Sequence, residues 1–257
     1  MDIGITDFYG YNEPFKTRLD RIKKAGFTRV MLSNDKKYKK QNGSFSGRIR
    51  YIRKIGLSLA SLHASYDTDI LPELTKQGKI GDKLEKNLIK EVKLAHKYGF
   101  KNLVVHILGE HSQVLINRIK NVLTFCEKYD VNFCVENIDQ IEIFDFIHQN
   151  IQHKNLKFCY DCGHNHCFAP NKKYFPQYAN LLTCTHLHDN DGTADQHIPF
   201  DLGGNIDMNE LAKNLASTNI TSLDFEILPR TKPYSNPDDL LNKVYENAQK
   251  LLTIMNK

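Results

Sequence analysis

Residues 84–108 read LEKNLIKEVKLAHKYGFKNLVVHIL, and this stretch holds both halves of a repeating plan. Leu84, Leu88, Val92, Ala95 and Tyr98 recur every three or four residues, the period of a helix with one apolar face. Gly99 follows where such a helix closes in the left-handed conformation. Then NLVVHIL, 102–108, is an apolar run with the length of a strand covered on both faces. Outward from here the same alternation gives eight strand candidates: 2–6, 29–32, 57–64, 102–108, 132–138, 156–163, 183–190 and 222–227. Strands alternating with longer helical segments predict a parallel sheet wrapped by helices. Helix ends are marked too. The first helix is expected to stop at Gly26, Asp207 and Glu210 form a capping-box-like pair, and Asn236 and Pro237 suit the N-cap and N1 positions of the last helix. That helix carries a stripe of Leu240, Val244, Ala248, Leu251 and Met255.

A length of 257 residues matches one α/β barrel, so the expectation is a (β/α)8 barrel forming a single domain over 1–257. Apolar residues make up 40% and charged residues 25%, with no run long enough to span a bilayer. The N-terminal MDIGITDFYGYNEP lacks a basic segment followed by an apolar core, so no signal peptide is expected and a cytoplasmic location follows. The six cysteines are then expected as thiols. Cys134, Cys159 and Cys184 fall in strand candidates as small buried hydrophobes, while Cys162 and Cys167 flank a histidine-rich turn without zinc-ribbon spacing. A net charge of +5 is compatible with phosphorylated substrates or nucleic acid and demands neither. The lysines of SNDKKYKKQNGSFSGR, after the second strand, read as a solvated loop, with a phosphate contact as the functional alternative.

In such a barrel the C-terminal strand ends and the loops after them form the mouth. Strand three ends in LHASYD with His63, strand four in VVHIL with His106, and strand five in CVENI with Glu136. Strand six ends in YDCGHNH, giving Asp161 and His164, and strand seven in HLHDN, giving His188. The following DQH contributes Asp195 and His197, and strand eight ends in LDFEIL with Glu226. Singly, a histidine in a strand is more often a hydrogen-bonded core residue, and a carboxylate is more often solvated. Together, nine imidazoles and carboxylates would converge on one rim, and several buried carboxylates without a cation would be strongly destabilised. Nitrogen and oxygen donors suit zinc, manganese or a similar divalent ion. His186 lies two residues before His188 on the same strand face, one layer deeper, where a core or supporting role is expected.

In this order, the glutamate of CVENI, the D-x-x-H of DCGH, the histidine of HLHDNDG, the D-x-H of DQH and the glutamate of LDFEIL resemble the xylose isomerase-like TIM barrel superfamily. That superfamily includes sugar isomerases and epimerases and also endonuclease IV, and the resemblance covers almost the whole chain. It implies Glu136, Asp161, His188 and Glu226 around one divalent ion, as in the sugar enzymes. By similarity to the three-metal endonuclease it further implies His63 and His106 with Glu136 on one ion, and His164, Asp195 and His197 on another. One to three ions of zinc or manganese are therefore expected.

The first reading is isomerisation or epimerisation of a sugar or sugar phosphate, with Glu136 and Glu226 as the acid/base pair and His164 orienting a substrate hydroxyl. The rival is phosphodiester cleavage at abasic DNA with two or three ions, and nucleic acid is a partner only under that reading. HLHDNDGTADQHIPF with LGGNID resembles the bacterial sugar phosphate isomerase/epimerase group more than the endonucleases. CVENI is followed by DQIEIFDF rather than by the endonuclease glycine-rich stretch. A third reading is a sugar-binding barrel without turnover, disfavoured by an intact acid/base pair beside a complete donor set. No membrane contact is expected, and oligomer formation is compatible with the sequence.

Overall fold

The computed structural model describes residues 1–34, 42–229 and 233–257. Among them, eight strands form one sheet: β1 (Asp2–Thr6), β2 (Arg29–Ser33), β3 (Ser58–His63), β4 (Asn102–Val105), β5 (Asn132–Glu136), β6 (Leu156–Asp161), β7 (Leu182–His186) and β8 (Ser222–Phe225). Neighbours pair in parallel in the order β7-β6-β5-β4-β3-β2-β1-β8. The two edges meet through a bridge between Leu187 and Phe225, where Leu187 N donates to Asp224 O (2.9 Å) and Glu226 N to Leu187 O (3.1 Å). This is a (β/α)8 barrel.

Eight helices are described: α1 (Phe15–Lys24), α2 (Phe45–Lys54), α3 (Lys79–Tyr98), α4 (Gln113–Tyr129), α5 (Ile141–Asn150), α6 (Cys162–Phe168), α7 (Met208–Ala216) and α8 (Pro237–Met255). Gly99 closes α3 at φ +84°, and Gly26, at φ +107°, follows the Ala25 cap of α1. The Asp207 side chain accepts from the backbone N–H of Asn209 and Glu210, but the Glu210 carboxylate turns to Lys173 (2.8 Å), leaving half a capping box. Asn236 caps α8 with Pro237 at N1. Leu240, Val244, Ala248 and Leu251 are buried against the barrel, and Met255 is half-buried. Among the described residues no helix is long and apolar enough to cross a membrane.

From β3 to β8 the strand ladders end before the apolar runs do. β4 stops at Val105, β7 at His186 and β8 at Phe225, one or two residues before His106, His188 and Glu226. Apolar pattern reports burial, which continues beneath the rim loops, whereas ladder pairing ends where the backbone groups turn to serve those loops. Inside the barrel, Val104, Cys134, Cys159 and Cys184, from the adjacent strands β4 to β7, form a buried cluster, so these three thiols are buried as expected, and that of Cys159 also lies within 4.8 Å of ligand atoms of Glu136 and His186. Cys126 and Cys162 are also buried, and Cys167 is half-buried. Lys36, Lys37, Lys39 and Lys40 lie outside the described residues.

Candidate metal centre

The nine residues singled out from the sequence form one connected set. Glu136, last residue of β5 and 1% exposed, is its hub. One carboxylate oxygen, Oε2, lies 3.1 Å from His106 Nε2 and 3.5 Å from His63 Nε2, and those two nitrogens are 3.3 Å apart. The other, Oε1, is 3.0 Å from His186 Nδ1 and 3.4 Å from His164 Nδ1. Asp161, at the end of β6, has its two oxygens 3.1 and 3.2 Å from His188 Nε2. Asp195 Oδ2 is 2.8 Å from His197 Nε2 and 3.5 Å from His164 Nε2. Glu226 Oε2 closes the ring, 3.2 Å from His186 Nδ1 and 4.0 Å from His197 Nδ1.

Local sequence explains the placement. Asp161 is also the N-cap of α6: its Oδ1 accepts from His164 N at 2.7 Å, so one residue faces the centre and sets the helix that presents the next. Asn137, next to Glu136, exchanges two 2.8 Å hydrogen bonds with the Asp161 backbone, while its carbonyl accepts from His164 Nδ1 at 3.1 Å. Asn190 donates to Gly163 O (2.9 Å) and accepts from Gly192 N, tying the HDN turn to α6. Neither asparagine was singled out from sequence, although a buried polar residue directly after each site residue or turn is the visible signal. Asp189 holds the same turn, accepting from Asn190 N and Ile206 N. His111, stacked on Phe146, and His148, packed on Phe144, stay out of the cluster.

His186 and His188 divide their roles by nitrogen. His188 aims Nε2 at Asp161, with Nδ1 toward the Asp189 carbonyl at 3.5 Å. His186 instead puts Nδ1 between Glu136 and Glu226, so its supporting role joins two carboxylates rather than filling core space. Its nitrogen also lies within 4.8 Å of ligand atoms of Glu136, Asp161 and Glu226.

Charge balance in this set rests on imidazolium at His164, His186 and His197, whereas burial pushes His106 below the usual histidine value. Burial alone would raise Glu136, yet His186 and His106 beside it hold its carboxyl well below the usual range. Glu226 and Asp195 are depressed against the same cost of burial, by His186 and His197 for the first and by His164 and His197 for the second. Burial opposes charge on His164 and His197, but Asp161, Asp195 and Glu136 carry His164 up to about 10, and Asp195 and Glu226 carry His197 to about 9. In metal-free protein these raised imidazoles stabilise the fold fully below the unfolded histidine pKa of about 6.5. That stabilisation is lost as pH climbs through the folded values of about 9 and 10. Ligation requires neutral imidazole, so metal binding near neutral pH is expected to release at least one proton and to weaken in acid. Calorimetric titration in buffers of differing ionisation enthalpy measures this, and a binding heat independent of buffer would contradict it.

The donor set fits a divalent ion. The Nδ1–H groups of His63, His164 and His197 donate to main-chain carbonyls of Ala64, Asn137 and Glu226 at 2.9, 3.1 and 3.0 Å, which fixes the tautomer and leaves Nε2 for the centre. Asp195 Oδ1 is buried, 3.7 Å from His188 Nε2 and without a hydrogen-bond partner among the described residues, an oxygen with unmet demand for positive charge. Tetrahedral ligands about 2.0–2.1 Å from zinc stand roughly 3.3 Å apart, close to the 3.1–3.5 Å triangle of His63, His106 and Glu136. Among the described residues four groups have ligand atoms mutually within 4.8 Å: His63, His106 and Glu136; Glu136, Cys159 and His186; His164, Asp195 and His197; and the Glu136, Asp161, His186 and Glu226 set.

The cavity above the centre is lined by Thr6, Phe8, Tyr66, Asp195 and Glu226 among others. A family model for the xylose isomerase-like TIM barrel matches residues 19–246. An uncharacterized protein, y4fM of Sinorhizobium fredii, is 25% identical over 256 residues, covering 84% of this chain and 82% of its own. The crystal structure of a D-tagatose 3-epimerase-like protein superposes with a TM-score of 0.80 at 16% identity, covering 100% of this chain and 98% of the other. D-psicose 3-epimerase with D-tagatose, from Clostridium cellulolyticum, gives 0.71 at 15%, covering 100% and 98%. At these identities the solved structures speak for the fold, and the family model spans most of the sequence: the chain belongs to the xylose isomerase-like TIM barrel family.

Proposed function

We propose that this protein is a divalent-metal-dependent isomerase or epimerase of a sugar or sugar phosphate, moving a proton beside a carbonyl. One observation carries the reading: Glu136, at the end of β5, and Glu226, directly after β8, converge on the same imidazole nitrogen, His186 Nδ1, at 3.0 and 3.2 Å. Two carboxylates so placed, one at the cavity wall and one beneath it, suit removal of a proton from a carbon next to a carbonyl and its return. Return to the opposite face of that carbon gives the epimer, and return to its neighbour the isomer. Glu226, 20% exposed at its side chain, is the group a substrate meets first, and His164, also on the cavity wall, orients a substrate hydroxyl. Glu136, Asp161, His188 and Glu226 would hold the ion, which when bound supplies polarisation of substrate oxygens and stabilises the charge of the enediolate. The similar fold of a D-psicose 3-epimerase with D-tagatose supports this class of substrate.

Phosphodiester cleavage at abasic DNA remains the second reading, favoured by the two further triads around His63 and His197. Both are tested on one preparation, loaded in turn with zinc and manganese, assayed against D-tagatose, D-allulose, their phosphates and an abasic duplex. Ketose interconversion is the expected outcome. Incision of the duplex without ketose turnover would transfer the assignment to the nuclease, and binding of ketoses without turnover would leave a sugar-binding barrel.

A further inference from the structure

Helix α3 carries Lys79, Lys83, Lys86, Lys90, Lys93 and Lys97, all exposed. The spacing runs four, three, four, three, four, which at 100° per residue keeps all six within about 40° of one line. The row is about 27 Å long. Lysines at i, i+3 and i, i+4 repel and weaken a helix, and a solvated helix face ordinarily intersperses glutamates to offset this. Here the acids of α3 are spent elsewhere: Asp82 and Glu85 reach Arg118 at 2.7 and 3.6 Å, and buried Glu91 is bonded by Asn34 at 2.7 Å. Among the described residues none of the six lysines has an ion-pair partner, and Lys93 and Lys97 lie over the rings of Phe125 and Tyr98.

We propose that this ridge docks the phosphate backbone of nucleic acid, at a surface separate from the cavity, which none of the six lines. A nucleic-acid strand offers one charge per roughly 3.4 Å of helix axis, so a 27 Å row faces about eight phosphates. A membrane surface fits less well. A helix lying on lipid needs an apolar face to insert, and that of α3 is turned inward, with Val92 and Ala95 buried and Ile80 as its one exposed large hydrophobic residue. The proposal does not depend on the reaction at the strand ends.

The test is fluorescence anisotropy of a 20-base-pair duplex with the full chain, from 50 to 200 mM KCl. Wild type is expected to bind without sequence preference and to lose roughly a thousandfold in affinity across that range. The exposed-surface variant Lys83→Gln, Lys86→Gln, Lys90→Gln, Lys93→Gln is expected to reduce the log–log salt slope by about 3.6. A variant of equal charge change elsewhere, Lys16→Gln, Lys128→Gln, Lys213→Gln, Lys257→Gln, is expected to keep wild-type slope. Absence of duplex binding at 50 mM, equal slope changes in both variants, or ridge-dependent binding to phosphatidylserine vesicles in place of the duplex would each overturn the proposal.

Discussion

Glu226→Gln is expected to lower ketose turnover by about a thousandfold or more while leaving the circular dichroism of the barrel intact. General acid–base groups typically contribute 10²- to 10⁴-fold, and this one side chain is also a proposed metal ligand. The amide keeps the shape of the carboxylate but can neither take a proton nor balance the charge on its neighbours. Its partners are His186 Nδ1 at 3.2 Å and His197 Nδ1 at 4.0 Å, so the substitution loosens the cavity wall without opening the core. Turnover and metal content, measured on the same preparation, check both roles. An active Glu226→Gln enzyme would remove Glu226 from the chemistry.

The second large effect is expected from a residue with no side chain. Gly163 lies on α6 between Asp161 and His164, and a Cβ there would stand 1.9 Å from His188 Cε1 and 2.5 Å from both ring nitrogens. His188 is fully buried, with Nε2 on both oxygens of Asp161, so the ring cannot swing aside and keep that contact. Gly163→Ala is therefore expected to displace His188, weaken metal binding by about 10- to 100-fold and destabilise the protein by roughly 1–3 kcal/mol. Metal titration and thermal unfolding measure the two losses. Wild-type metal affinity in Gly163→Ala would show that His188 is no part of the ion's surroundings.

Much of this was legible in the chain because two strong signals agree. Strand-length apolar runs located all eight strands, β1 to the residue, and the strand ends carried the titratable groups. Boundaries at the mouth were not legible. The run VVHIL is apolar on both sides of its histidine, yet the β4 ladder ends at Val105, and past it Ile107 is buried and His106 and Leu108 are half-buried without strand pairing. Supporting contacts were equally hidden: that the amide of Asn137 mimics a further ladder step to Asp161 depends on register, which the sequence does not state. His186 was placed one layer beneath His188 by alternation alone, but its position between Glu136 and Glu226 follows from barrel closure. The α3 lysines were not singled out from the sequence, where only the apolar stripe of that helix was read. Their freedom from acidic partners became apparent only once Arg118 was seen to occupy Asp82 and Glu85.

Elemental analysis of chelator-treated and metal-reconstituted protein, with ketose turnover followed alongside, addresses the centre itself. The structure leads us to expect between one and three divalent ions per chain after reconstitution, turnover that vanishes on chelation, and its return with zinc or manganese. Turnover undiminished in protein stripped of metal would contradict the account.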